Sequence, residues 1–586
     1  MNGAATSPLL EWLVRPRGDR TVRFAQDDGS WLRLTYRDLQ QQVATTASVF
    51  SARRADTAET DARQATVIAL PSGPAFVAAF FGSLSMGLTP TVIAPPGMFE
   101  DADSYVANVA RMLAVVRPLA VYAAPASLPL MAKAQAEVGV DAALLTGAEP
   151  GDPEHPLSAE RRCDSPLFQF TSGSTGAAKG VRLTWGNLEQ ATLNNAALVD
   201  YDPSLETATW LPFYHDMGLV GTLLTVVRHQ GHLAVLRPEH FVLDPARWLR
   251  CFGQDGAAYT AAPPFAFAYA HRRVSDSALR DMDFSGWRAA IVGAERIDAG
   301  ALARFAARCH DQGFRPSVYR PAYGLAEATL LASGLSHGEE AVAVNIDWAE
   351  IQMDGPVRVR AEASLVEAGR MERPGDWLIG CGSSTRATSV RIVDAQGTVL
   401  SDGYLGELEV SGPCVAAGYE PETTTSSTRF SSDGVLTGDA GFRHGGQLYV
   451  LGRVGDSISV LGKNVFVEDV EARLTDLPDL PKGRVTCFST GVSLIVLAEV
   501  APGPWGQAAV DLVRLMTSSA IPVVAVSAAR GAILRTSSGK PQRRRLGAMH
   551  LTGQLAGQVI AQHTTGATAL DTPPEVPNAN LQREKP

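Results

Sequence analysis

Cysteine is scarce in this 586-residue chain: the six residues at 163, 251, 309, 381, 414 and 487 form no C-x-x-C pair. That pattern suggests neither a disulfide framework nor a zinc site, and reduced thiols in the cytosol are the expectation. Long apolar runs are missing too. The most membrane-like stretch, Val67 to Pro96, is interrupted by Pro71, Gly73, Pro74, Gly82, Gly87 and Pro90, and reads as a buried strand, helix and strand rather than a span. The opening MNGAATSPLLEWLVRPRGDR has a short apolar stretch with charge after it instead of before, so no export signal is expected. Positive charge is not in excess: the formal net charge is -10, which argues against nonspecific nucleic-acid binding. The one basic cluster, Arg535 to Arg545, lacks interleaved aromatics and suits a short loop beside a reaction site better than a nucleic-acid patch. No G-x-S-x-G elbow accompanies the adjacent His215 and Asp216, and there is no G-x-D-S-L-like serine for a phosphopantetheine arm and no internal repeat.

What is present fits a large globular protein. A 45% hydrophobic content is ordinary for a soluble chain, and this length suits a large domain plus a small one. The run FQFTSGSTGAAKGVRLTWGNL, Phe168 to Leu188, reads as an apolar strand that delivers a hydroxyl- and glycine-rich loop into a following helix. Gly173, Gly176 and Gly180 let backbone N–H groups approach an anion, Thr171, Ser172, Ser174 and Thr175 add hydroxyls, and Lys179 adds charge. It is not a Walker loop, because Lys179 is followed by Gly180 and not by Ser or Thr. A flexible linker is the bland alternative, but apolar Leu167, Phe168, Phe170, Val181 and Leu183 flank the loop.

Apolar runs at 65–70, 90–94, 120–124, 233–237 and 289–293 alternate with helical stretches such as DPARWLRCF and AGALARFAARC. That alternation predicts α/β layers with largely parallel, buried strands. From about Gln396, short alternating runs separated by Gly and Asp suggest a small antiparallel β subdomain. Residues 340–377 read as irregular. Past Arg453 a small α+β piece is expected, with SLIVLAEV and IPVVAVS as strands, and residues 551–586 read as a disordered tail.

The loop resembles the phosphate loop of the adenylate-forming superfamily: acyl-CoA ligases, adenylation domains and luciferases. Further segments follow in that family's order. WLPFYHDMGLVGTLL (210–224), AAIVGAERI (289–297), YRPAYGLAEATLLASG (319–334), TGDAGFRHGGQLYVLGRVGDSISVLGKN (437–464) and RTSSGKPQRR (535–544) look like its acyl-pocket, adenine, magnesium, ribose/hinge and lysine motifs. The resemblance runs from about Leu34 to about Leu546. The wording PFYHDMGL with YGLAEATLL is most similar to fatty acyl-AMP ligases, and residues 340–377 fall where those ligases carry an insertion.

The resemblance implies a layered α/β N-terminal domain with a small β subdomain over 1–452, and a small mobile α+β C-terminal domain over 453–550. It implies ATP and Mg²⁺ as cofactors. The phosphate loop residues, with Gly293, Ala294, Glu295, Tyr323, Gly324, Asp439 and Arg453, would hold the nucleotide. Tyr323 would stack on adenine, Asp439 would accept the ribose hydroxyls with Arg453 assisting, and Glu327 would bind magnesium. Without the family, Glu327 reads as a carboxylate at the head of an apolar helical run, favoured by the helix dipole, and Asp439 as a turn aspartate. Lys540, otherwise an exposed lysine, would bridge the substrate carboxylate and the α-phosphate, His215 would lie near that carboxylate, and Asp456 would be the hinge. Met217, Leu219, Leu223, Pro263, Phe265 and Phe267 would line an acyl pocket, ordinary core packing being the alternative for each.

Two positions depart from the family: Arg296 stands where Pro is usual, and Gly455 where Lys is common. The expected reaction is activation of a fatty acid to acyl-AMP and pyrophosphate, with transfer to a phosphopantetheinylated carrier protein in trans, in the cytoplasm. The alternatives are an acyl-CoA ligase and a silent adenylate-fold binding protein. The joint presence of Glu327, Asp439, Arg453 and Lys540 weighs against the last.

Overall fold

Short runs of Ala, Val, Ile and Thr that are apolar on both faces become strands at the centre of two parallel sheets. The computed structural model describes residues 5–56, 64–97, 101–171, 179–421, 427–460, 463–490, 493–517, 521–536 and 539–564. It divides into two units: residues up to Asp347 with Met353–Gly455, and Trp348–Gln352 with the chain from Asp456 onward.

The larger unit is built on a nine-stranded and a seven-stranded sheet. In the first, Tyr319–Leu325, Ala289–Val292, Tyr259–Ala262, Thr207–Thr209, Leu233–Val235 and Thr21–Ala25 run parallel, and antiparallel strands close both edges. In the second, Ala65–Ala69 lies parallel between Thr89–Val92 and Ala120–Ala123. Leu167–Thr171 joins Thr89–Val92 in parallel and pairs antiparallel with Lys179–Leu183. Val67 and Ile68 are fully buried, as expected where helices cover both faces of a parallel sheet. The membrane-like stretch is strand Ala65–Ala69, helix Pro74–Ser85 and strand Thr89–Val92. Among the described residues no helix is long and apolar enough to cross a membrane.

Four expectations are corrected. The glycine-rich loop joins two antiparallel strands, and the helix Trp185–Leu198 begins only after the second of them. Glu327 lies in a 3₁₀ turn, Ala326–Ala328, leading into the strand Leu330–Gly334; antiparallel pairing with Tyr319–Leu325 overrides the helical composition of AEATLLA. The 340–377 segment is ordered: Val342–Ile346 pairs with Val359–Ser364 and Trp377–Ile379 in a three-stranded sheet, with the helix Leu365–Arg370 between the last two strands in sequence. Beyond residue 550, Gln558–His563 pairs with Val523–Ser527 as the edge of the smaller unit's four-stranded sheet, because that edge offers free backbone groups to a partner strand.

An antiparallel sheet of Ser389–Val393, Gly406–Ser411, Val435–His444, Arg429–Phe430 and Gln447–Arg453 completes the larger unit. The smaller unit packs the helices Val467–Leu474 and Trp505–Met516 on strands Val485–Ser489, Leu494–Ala498 and Val523–Ser527, and also carries the hairpin Ser457–Val460 with Lys463–Phe466.

Candidate active site

The parallel strands of the nine-stranded sheet deliver their motifs at one edge. Thr207–Thr209 runs into Trp210, Tyr259–Ala262 into Pro263, Ala289–Val292 into Gly293, and Tyr319–Leu325 carries Tyr323 at its far end. In open α/β sheets ligands bind outside these carboxyl ends.

Close backbone approach explains the glycines there. A Cβ on Gly293 would lie 2.5 Å from the Ala322 carbonyl oxygen, and one on Gly324 only 1.7 Å from that of Leu330. Ala294 takes a left-handed φ of 68°, which turns the chain sharply after the strand. Glu295 Oε1 accepts from the Phe265 N–H at 3.2 Å and so ties two strand ends together. Arg296 donates from Nη2 to the Gly375 carbonyl at 3.0 Å, so the residue that replaces the family's proline anchors the 340–377 segment.

Asp439 sits on Val435–His444 directly across from Arg453 on Gln447–Arg453. Arg453 Nε is 2.8 Å from Asp439 Oδ1, and the Tyr323 hydroxyl donates to Oδ2 at 2.5 Å. Arg453 also donates from Nη1 to the Thr437 carbonyl at 2.9 Å, which fixes its guanidinium. Burial, then the neighbouring Asp439 charge, holds the Tyr323 phenol well above its ordinary value, so it stays a donor. A carboxylate clamped in this way presents acceptor lone pairs in a fixed plane, suited to a pair of hydroxyl groups.

Glu327 is 7% exposed. The Tyr419 hydroxyl donates to its Oε1, and the Ala416 N–H donates to its backbone carbonyl at 2.9 Å. Thr329 follows with φ 64° and reverses the chain, its hydroxyl bound to the Cys414 carbonyl at 2.5 Å. Burial raises the Glu327 carboxyl above the usual range, opposed by the Tyr419 bond and the Arg453 charge and reinforced by Asp216. Tyr419 belongs to Tyr419–Glu420, which pairs with Lys179–Leu183, the strand leaving the glycine-rich loop. Lys179 is 5% exposed, with Nζ 6.0 Å from the Tyr419 ring centroid. A buried carboxylate near a second acid, joined through Tyr419 to the strand Lys179–Leu183, fits a hard cation such as Mg²⁺, which takes one or two carboxylates plus phosphate oxygens.

Thr171 ends Leu167–Thr171, while Ser172, Gly173, Ser174, Thr175 and Gly176 lie outside the described residues. Gln169 on the same strand donates to the Tyr214 carbonyl at 3.1 Å, linking that strand to the neighbour of His215. His215 precedes the short helix Asp216–Gly218, its ring 5.3 Å from that of Tyr214.

The six residues read as an acyl lining are not brought into one cluster. Leu219 and Leu223, in the π-helical segment Leu219–Leu224, are buried in one core. Phe267 is fully buried in another, edge-on to Phe305 and Tyr319, with Met217 packed against that core. Pro263 caps the helix Pro264–Arg273, and Phe265 is 42% exposed and 5.8 Å from Trp210, which stacks on Phe241 at 4.2 Å. Trp210 and Tyr419 were not among the site residues expected from sequence, and Arg296 was noted only as a departure from the family; for Tyr419 the Tyr in AAGYEPE, two residues before a proline and next to a glycine, was the available cue.

In the smaller unit Lys540 is exposed on the turn between Arg535 and Pro541, its N–H donating to the Thr536 hydroxyl at 3.1 Å. Asp456 is that unit's first residue after Gly455.

Known proteins match this chain over most of its length. TtuA of Teredinibacter turnerae, a "Medium-chain-fatty-acid--[acyl-carrier-protein] ligase", is 33% identical over 364 residues, 58% of this chain and 54% of that protein. This chain thus spans about half of TtuA. FadD30 of Mycobacterium tuberculosis, a "Probable long-chain-fatty-acid--AMP ligase", is 29% identical over 562 residues, 87% of this chain and 91% of that protein. A solved structure from a study of fatty acyl-adenylate ligases of E. coli and L. pneumophila superposes with a TM-score of 0.82 at 25% identity, covering 94% of this chain and 98% of its own. Residues 10–420 match the AMP-binding enzyme family, and the chain, with its Tyr323–Asp439–Arg453 arrangement at the sheet's carboxyl edge, belongs to it.

Proposed function

We propose that this chain activates a fatty acid with ATP and passes the acyl group to a carrier protein. In the first step a carboxylate oxygen of the acid attacks the α-phosphorus of ATP. The α–β anhydride bond breaks, pyrophosphate leaves, and acyl-AMP remains. In the second step the phosphopantetheine thiol of a carrier protein acting in trans gives up its proton, its sulfur attacks the acyl carbon, and AMP leaves as the C–O bond breaks.

The observation that carries this reading is the Asp439 carboxylate clamped between Arg453 and Tyr323 beside the Gly293–Ala294 turn. In it Asp439 takes the ribose hydroxyls, Tyr323 and the 293–295 turn take adenine, and Thr171 through Gly176 with Lys179 take the phosphates. Glu327 would hold Mg²⁺, which would supply neutralisation of the phosphate charge. Two anions must meet, so donors aimed at the developing charge are required; Lys540 and His215 fill that role at the acid's carboxylate, and Asp456 is the pivot of the small unit. The names of TtuA and FadD30 support a fatty acid, AMP and a carrier, and the acyl chain would gain about 0.8 kcal/mol per buried CH₂.

Product analysis tests the proposal. Purified protein with ATP, Mg²⁺ and a panel of acids should accumulate acyl-AMP, load a holo-carrier, and give little thioester with coenzyme A. Acyl-CoA formed as fast as the adenylate would make it an acyl-CoA ligase. No AMP or pyrophosphate with any acid would make it a binding protein.

A further inference from the structure

Three carboxylates converge on one guanidinium in the smaller unit. Arg543 Nη2 is 2.8 Å from Glu471 Oε2 and its Nε 3.3 Å from Glu471 Oε1, while Nη1 is 2.9 Å from Glu468 Oε1 and 3.5 Å from Asp456 Oδ2. The Arg543 side chain is 15% exposed, Asp456 18%, and Glu468 and Glu471 19% each. Glu471 is itself pinned, since its Oε1 also accepts from the Thr486 hydroxyl at 2.7 Å and the Cys487 N–H at 2.8 Å. The cluster is therefore rooted in the strand Val485–Ser489 and the helix Val467–Leu474.

Two of its members have special places in the chain. Asp456 is where the chain crosses from the larger unit into the smaller. Arg543 opens the helix Arg543–Leu551, three residues beyond Lys540. The Lys540 turn closes on the same spot: Gln542 N–H donates to the Leu534 carbonyl at 2.8 Å, Gln542 Nε2 to the Arg535 carbonyl at 2.7 Å, and Arg535 Nη1 to the Gly539 carbonyl at 2.8 Å. Leu546 N–H then donates to the Gln542 carbonyl at 3.0 Å and starts the helix on that turn.

We propose that Arg543 is a positioning residue: by gripping Glu468 and Glu471 together with Asp456, it fastens the base of the Lys540 turn to the crossover residue, so that turn and crossover move as one body. Among the described residues one cation faces these three acids, and burial with the neighbouring Glu471 and Asp456 charges pushes the Glu468 carboxyl up to about 7 against the pull of Arg543. Removing the guanidinium would leave partly buried acids facing one another, which strains the joint before the fold. The kinetic arm of the proposal rests on the adenylation reading, while the structural arm does not.

The test uses the full chain with Arg543→Gln, Arg543→Lys, Asp456→Asn and the Arg543→Gln/Asp456→Asn double variant. Backbone hydrogen exchange over residues 534–542 should speed up about tenfold or more in Arg543→Gln and partly recover in Arg543→Lys, while exchange in the larger unit stays unchanged. Fatty-acid-dependent pyrophosphate release should fall about 10- to 100-fold in kcat at unchanged KM for ATP, and the Asp456→Asn loss should add little to it, because partners in one contact are not additive. Exchange equal to wild type over 534–542, or fully additive losses, would overturn the proposal. If Arg543→Gln does not fold, Arg543→Lys and Asp456→Asn carry the same exchange comparison, and equal protection in both would likewise overturn it. Faster exchange in a protein whose wild type releases no pyrophosphate would sink the adenylation reading and leave Arg543 as the fastener.

Discussion

The candidate site of the larger unit and the acid cluster of the smaller one hold their carboxylates by different means. In the larger one, Asp439 and Glu327 each accept from a tyrosine hydroxyl, Tyr323 and Tyr419, and a guanidinium reaches only Asp439. In the smaller one Asp456, Glu468 and Glu471 share Arg543, and Lys540 stands exposed nearby in sequence. The neutral Tyr419 donor holds Glu327 in place without consuming its charge, whereas the shared Arg543 cation uses the charge of its acids to hold segments of chain together. On the proposed function Glu327 would meet a cation and Asp439 a pair of hydroxyl groups, while the Arg543 cluster would keep its own parts aligned.

Four variants sharpen or break that contrast, in order of expected effect. Lys540→Ala removes an exposed side chain, so the thermal midpoint should hold while fatty-acid-dependent pyrophosphate release falls about 10²- to 10³-fold, the usual worth of a donor at developing charge. A loss smaller than about threefold would take Lys540 out of the reaction. Asp439→Asn releases the clamp with Arg453 and Tyr323; losing charge-assisted bonds should raise KM for ATP roughly 10- to 100-fold, with a smaller change in kcat, as steady-state kinetics over ATP concentration would reveal.

Tyr419→Phe takes the donor from Glu327, whose carboxyl burial already raises. Without that donor the acid is harder to ionise, so it stays protonated to higher pH. The acid limb of the pyrophosphate-release profile should therefore move to higher pH, with a stability loss of about 1–3 kcal/mol by denaturant melts. An unmoved limb would show that Glu327 ionisation does not govern the step.

The smallest effect is at Glu468, pushed to about 7 from the usual glutamate value of 4.5. A raised carboxyl favours the folded state below its unfolded pKa and loses that contribution as pH rises through the folded one. Wild-type stability should thus decline between about pH 4.5 and 7 relative to Glu468→Gln, by on the order of 1–2 kcal/mol given the 19% exposure. Arg543, Glu471 and Asp456 face this carboxyl, and Cys487, buried behind them, feels its charge. A flat difference across that window would mean that Arg543 keeps Glu468 ionised throughout.

Much of the sheet framework was legible because its strands are short, apolar on both faces and rich in Val, Ile and Ala, as at 65–69 and 289–292. The strand Leu330–Gly334 was hidden because Ala, Leu and Glu suit a helix, and only its partner at Tyr319–Leu325 makes it extended. Gln558–His563 was hidden because its apolar run, Val559 to Ala561, is short and set between glutamines in a polar tail. The 340–377 sheet was missed for a related reason: Val359–Ser364 is largely exposed and takes its order from Val342–Ile346.

The chain's residues by themselves determined the order of the motifs, the α/β alternation and the kinds of group available for the chemistry, because each of these is written in a local run of ten to twenty residues. Tertiary structure alone decided which groups meet. Tyr419 reaches Glu327 across 92 residues, Tyr323 reaches Asp439 across 116, and Arg543 reaches Glu468 across 75. Such pairings follow from sheet register and helix packing, which sum many weak contacts distant in sequence, and no local pattern encodes that sum.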